Sequence, residues 1–118
     1  MDVEQIRAYA LSKKAVTEGF PFDQTTLVFK VGGKMFLLMS LDRFPLSFSV
    51  KTDPNWSDEL RASYPQIQGA FHMNKTHWNS VEPEGLDQKL LRELIDHSYD
   101  LVFASLSRKL REEILEHD

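Results

Sequence analysis

Three groups of side chains in this sequence have the residue types and spacing that chemistry could use. His72 and His77 flank the turn pair Asn74-Lys75 and could face one another across it, as two imidazoles sharing a metal ion must. Zinc needs further ligands, and no Cys, Asp or Glu stands nearby, so no metal site is expected. Ser80 and Ser98 are hydroxyls with a histidine close in sequence, as a hydrolytic nucleophile requires. His97 and Ser98, however, point around different parts of one helix, and neither an orienting acid nor an oxyanion hole is legible. No catalytic residue and no cofactor is therefore assigned. The third group is Lys75, His77, Trp78 and Asn79, which joins a cation, an indole and an amide in five residues. Such a set can stack a base and hold a phosphate. It can equally be structural, the Trp supplying buried area and the Asn satisfying neighbouring backbone groups.

Composition narrows the classes of function. With 118 residues and 42% hydrophobic content, the chain is sized for one domain, taken as residues 1–118. The longest apolar run, Met35 to Met39, is far short of the ~20 residues of a membrane-spanning helix. The acidic start Met1-Asp2-Val3-Glu4 does not resemble a signal peptide. Absence of cysteine excludes a disulfide framework and a thiol nucleophile, and a cytoplasmic location is expected.

A net charge of -4 argues against a generic polyanion binder, but the charge is unevenly distributed. Residues 25–51 and 69–81 carry Lys30, Lys34, Arg43, Lys51 and Lys75 against the single carboxylate Asp42. A basic sheet under acidic helices is one consequence; ordinary solvated helix faces are the other.

The elements that must position these groups follow from periodicity. Asp2 and Gln5 have the form of a capping box, and Val3, Ile6, Tyr9 and Ala10 form one stripe of a first helix ending near Lys13. Residues 16–24 read as a connector, with Phe20 and Phe22 tucked back onto the core. Residues 25–31 and 34–41 read as strands around a two-residue Gly32-Gly33 turn. Leu46, Phe48 and Val50 alternate with polar residues as a third strand. Asp53-Pro54 opens a short helix that stops at Pro65. Residues 70–73 and 77–81 read as a second hairpin, and from Asp87 the apolar residues recur at helical spacing through Leu106, with Ser105 or Ser107 capping a last short turn.

The order α-β-β-β-α-β-β-α predicts a two-layer α+β fold: an antiparallel five-stranded sheet with helices on one face. Regular pairing across Gly32-Gly33 would set Phe29 opposite Phe36 and Leu27 opposite Leu38. Val28, Lys30, Met35, Leu37 and Met39 would then lie on the open face, an apolar patch suited to a homodimer or a partner protein.

Four segments together resemble the MmcQ/YjbR-like family: Phe20-Pro21-Phe22, Leu27 through Phe36, Met73 through Val81, and Asp96-His97-Ser98-Tyr99. Lys14-Ala15 departs from the Pro-Gly type turn common in relatives. The resemblance implies a fold like that of secretion chaperones and a label of DNA binding, and it supplies no catalytic residues. Two functions are expected to compete. One is weak DNA binding through Lys30, Lys34, Arg43, Lys51, Lys75, His77, Trp78 and Asn79. The other is protein interaction or chaperone-like docking through Val28, Met35, Leu37 and Met39.

Overall fold

The computed structural model describes residues 1–71 and 73–116. Helix α1 (Val3–Leu11) starts at the expected capping box, in which the Gln5 amide donates to Asp2 Oδ1 at 2.8 Å and the Asp2 amide to Gln5 Oε1 at 2.9 Å. Ile6 and Ala10 of this helix are fully buried. Ala15, at a φ of 60°, then turns the chain into strand β1 (Val16–Gly19). Sequence reading assigned that strand to a connector. The sheet therefore has six strands rather than five, adding β2 (Thr26–Val31), β3 (Lys34–Ser40), β4 (Phe48–Lys51), β5 (Ile67–Gly69) and β6 (Trp78–Val81). All neighbours are antiparallel, in the order β1-β2-β3-β4-β6-β5.

Gly32 and Gly33 form the predicted turn, at φ values of 59° and 81°, with Val31 opposite Lys34 and Lys30 opposite Met35. Beyond Met35 the expected register fails. Phe36 has no partner on β2, and Phe29 pairs with Leu37, Val28 with Leu38 and Leu27 with Met39. A one-residue bulge has entered β3, and it reverses which residues face the core from that point on. Leu37 and Met39, expected on the open face, are fully buried with Phe29, Phe36 and Phe48.

Helices α2 (Pro54–Ser63), α3 (Gln88–Ala104) and α4 (Arg108–Glu116) complete the second layer. Asp53, Asp87 and Ser107 accept backbone N–H bonds at their starts, as their sequence positions suggest. Leu91, Leu94, Ile95 and Val102 of α3 fill the core against β2, β3 and β4. The α3–α4 junction also packs closely on Gly32, where a Cβ would stand 2.6 Å from Leu106 Cδ1 and make that side chain shift. No helix among the described residues is long and apolar enough to cross a membrane.

Ser98 compensates the bulge. Its fully buried hydroxyl donates to the Phe36 carbonyl at 2.5 Å and accepts from the Lys51 amide at 2.8 Å, joining β3 to β4 where regular pairing has stopped. Ser98→Ala leaves both backbone groups without that partner and is expected to cost about 1–3 kcal/mol, read as a lower urea midpoint at unchanged m.

Candidate docking surface

Alternation along the strands sends Phe48, Val50 and Val81 to the helices and leaves their neighbours on the opposite face. Across that open face the register sets Val28, Leu38, Ser49, Ser80 and Gln68 in one row. The row grades from apolar at β2 to hydroxyl and amide at β5. Above it lies a concavity of 480 Å³, floored by Met35, Leu38, Ser49 and Ser80 and walled by Phe22, Arg43, Phe71 and Met73.

Loops set the walls. Asp23 Oδ1 accepts from the Thr25 and Thr26 amides at 3.0 and 2.6 Å, fixing the segment that presents Phe22. These backbone bonds, Thr26 first, hold the Asp23 carboxyl below its usual pKa. Opposite, the Asn74 carbonyl accepts from the His77 and Trp78 amides, and Lys75 Nζ sits 5.6 Å from the Phe71 ring centroid. The β3–β4 connection supplies Arg43. Phe22, Phe71 and Phe44 are 63%, 74% and 97% exposed, high for large apolar rings.

The expected site residues divide between the two faces. Lys30 and Met35 lie on the open face, and Lys51 and Trp78 are direct cross-strand partners there; Val28 faces the same side but is only 1% exposed, so it does not offer the docking surface expected of it. Arg43 stands on the rim with Glu82 at 3.9 Å. Lys75 is in the β5–β6 loop, and His77, half-buried, accepts the Thr52 amide through its carbonyl at 2.7 Å. Lys34 does not join them, because it sits beside the turn and reaches the Ser105 carbonyl at 3.4 Å, on the helical side. Nor does Asn79, which pairs with Val50 and is fully buried under α2. The predicted basic strip is therefore interrupted. His72, which could have faced His77 across the turn, lies outside the described residues.

Sequence reasoning missed the rim. Phe20 and Phe22 were expected in the core, yet Phe20 is 48% exposed and Phe22 more so. The signal present was proline: Phe20-Pro21-Phe22 and Phe44-Pro45 place aromatics where the chain cannot continue a ladder. Leu38 was missed because of the bulge.

The segment Asp96-His97-Ser98-Tyr99 distributes four side chains around α3. Asp96 accepts from Tyr9 Oη at 2.6 Å and pairs with Lys13 Nζ at 2.5 Å, tying α1 to α3. Burial first, then Asp96, pushes the Tyr9 phenol up to about 12. Tyr99 Oη donates to the Lys14 carbonyl at 2.7 Å. His97 packs on Trp56 at 4.7 Å between ring centroids, and its Nε2 accepts from the Asp53 amide at 3.0 Å.

Burial lowers the His97 pKa, with Asp53 and Asp100 opposing it. The unfolded chain then binds more protons below the ordinary histidine value of about 6.5, so the His97 contribution is complete above that pH and is lost as pH falls toward the folded value. Urea midpoints of the native protein should therefore fall more steeply below about pH 6.5 than those of His97→Gln. Parallel profiles would remove His97 as the cause.

Comparison with known proteins places this architecture. The YjbR family model matches residues 11–101. The protein called uncharacterized protein YbdF of Escherichia coli O157:H7 is 39% identical over 107 residues, 90% of this chain and 88% of that one. Uncharacterized protein YjbR of Escherichia coli K12 is 25% identical over 100 residues, 84% and 85% of the two chains. Among solved structures, Deinococcus radiodurans protein DR2400, with a DUF419 domain, superposes with a TM-score of 0.89 at 38% identity, covering 95% of this chain and 86% of that chain. A Pseudomonas syringae protein gives 0.74 at 26% identity, covering 86% and 99%. With the family model matched over residues 11–101 and a relative 39% identical over 90% of this chain, the chain belongs to the YjbR family.

Proposed function

We propose that this protein is a non-enzymatic, cytoplasmic interaction module that docks a partner protein on its open sheet face. The observation that carries the proposal is the pair of exposed aromatics, Phe22 and Phe71, that wall a floor containing Met35 and Leu38. Apolar groups gathered in this way lose free energy to water until something covers them. A homodimer is the special case in which the cover is a second copy.

Weak DNA binding is the competing proposal, and the cation positions weigh against it. Lys34 leaves the face and Lys75 is engaged at Phe71, which leaves Lys30 and Lys51 on the open strands and Arg43 at the rim. Three phosphate contacts give a salt slope of only about 3, too shallow for appreciable affinity at physiological salt.

Immobilised protein tests the two readings. A partner set retained by the native chain should be lost with Leu38→Asp, whose site is on the floor, and kept with Lys34→Glu, whose site is on the helical side. Equal retention by Leu38→Asp would overturn docking at this face. Duplex or single-stranded DNA that binds at low salt and is lost with Lys30→Glu or Lys51→Glu would favour the nucleic-acid reading instead.

A further inference from the structure

Resting on that docking reading, we propose that the concavity receives the C-terminal residue of the partner chain: an apolar side chain with a free α-carboxylate, the carboxylate held by Arg43. The 480 Å³ concavity is contiguous with a second recess of 120 Å³, and the two share Arg43, Ser47, Phe71 and Ser80. Phe22, Met35 and Leu38 make the larger part apolar, whereas Gln66 and Gln68 give the smaller part amides. Arg43 is thus the cation at the junction of an apolar chamber and a hydrogen-bonding one.

Three features make that junction fit a chain end. Its principal chamber falls within the roughly 300–1,000 Å³ of sites that enclose one small ligand, so it seats a terminus better than a length of chain. Only at a C-terminus do a large apolar side chain and a carboxylate share one residue within two bonds, with a backbone amide beside them for Gln66, Gln68 or Ser80. The polar floor is also available. Ser47 is 4% exposed, and its hydroxyl makes no hydrogen bond among the described residues.

Glu82 is the present neighbour of Arg43, at 3.9 Å, with side chains 53% and 41% exposed. A pair this long and this wet is weak, and an incoming carboxylate able to make the bidentate contact displaces it. Glu82 is therefore a competitor for the anchor as well as its tether.

The probe is a set of fluorescein-labelled hexapeptide pools, each fixed at its last residue and made as the free acid and as the carboxamide, titrated against the full chain. Acid pools ending in Leu, Ile, Met or Phe should bind. Amidation or Arg43→Gln should weaken them about tenfold, the lower end for a charge-assisted contact at a half-exposed site. Glu82→Gln should tighten them about twofold to threefold. Equal binding of acid and carboxamide, or no effect of Arg43→Gln, would overturn the carboxylate anchor. Pools that fail to bind in either form would do the same. The docking reading fails separately, when Leu38→Asp retains every partner. Arg43 and Glu82 are both surface residues, and an unchanged urea midpoint confirms that the variants fold.

Discussion

Leu37→Ala is expected to cost about 3–4 kcal/mol of folding stability, while Leu38→Ala, one residue along the same strand, costs less than about 1.5 kcal/mol. The two leucines are chemically identical and adjacent, so only the face on which each lies separates them. Leu37 is fully buried against the α3 layer, where truncation removes transfer free energy and leaves a cavity that packed neighbours fill poorly. Leu38 is half-buried on the floor of the open concavity, where water fills the space its side chain leaves. Urea unfolding of both variants at pH 7 measures the difference. The reverse order, with Leu38 the costly residue, would place the strand in the unbulged register and remove the surface on which docking has been proposed.

That bulge marks the boundary of what was legible. The turn at Gly32-Gly33, the capping box of α1, the Asp53-Pro54 start of α2 and the long stripe of α3 are local features, each written in a few consecutive residues, and each appears in the structure. Met35 through Met39 is apolar at every position, so it has no alternation from which to read a face. The signal that settles the register is non-local: Ser98, some sixty residues later, offers the hydroxyl that satisfies the extra residue's carbonyl. Strand β1 was hidden for a different reason. Val16-Thr17-Glu18-Gly19 is short and polar, and the chain enters it through Ala15 in a conformation that usually signals glycine. Strand β5 was displaced to residues 70–73 because Ile67 is its one buried side chain.

The candidate site was legible in its parts more than in its arrangement. Lys30, Lys51, Trp78, Val28 and Met35 do share the open face, since the strands carrying them were placed correctly or nearly so. Composition revealed the surplus of cations in the sheet segments but not their dispersal, because alternation at the start of β3 turns Lys34 to the helical side with its partner Val31, and Lys75 in a loop has no alternation to aim it. The aromatic rim could not be found from hydrophobicity alone. A phenylalanine in a loop has the same sequence signature whether it folds inward or stands in solvent.

Asn79 sat among the residues that could have read a base, and its variants should instead register in stability. It is fully buried, accepting from Arg61 Nε at 2.7 Å and donating from Nδ2 to Thr52 Oγ1 at 2.7 Å and Ser57 Oγ at 3.2 Å. The hydroxyls of Thr52 and Ser57 are themselves hydrogen-bonded, and Arg61 also donates to the Lys75 and Trp78 carbonyls, so the network links β6, α2 and the loop that carries Phe71. Asn79→Ala removes the acceptor of a guanidinium N–H and opens a hole beside it, an expected loss of about 3 kcal/mol. Asn79→Asp should cost clearly less: its carboxylate pairs with Arg61, and the Thr52 hydroxyl can turn to donate to it while Ser57 keeps its bond to the Asp53 carbonyl. Because Arg61 anchors the loop, Asn79→Ala should also speed proteolytic cleavage in residues 70–77, which Asn79→Asp largely restores. An Asn79→Ala protein with native stability and weakened DNA binding would mean that the amide faces outward to a ligand, and the assignment of this residue to the fold would fail.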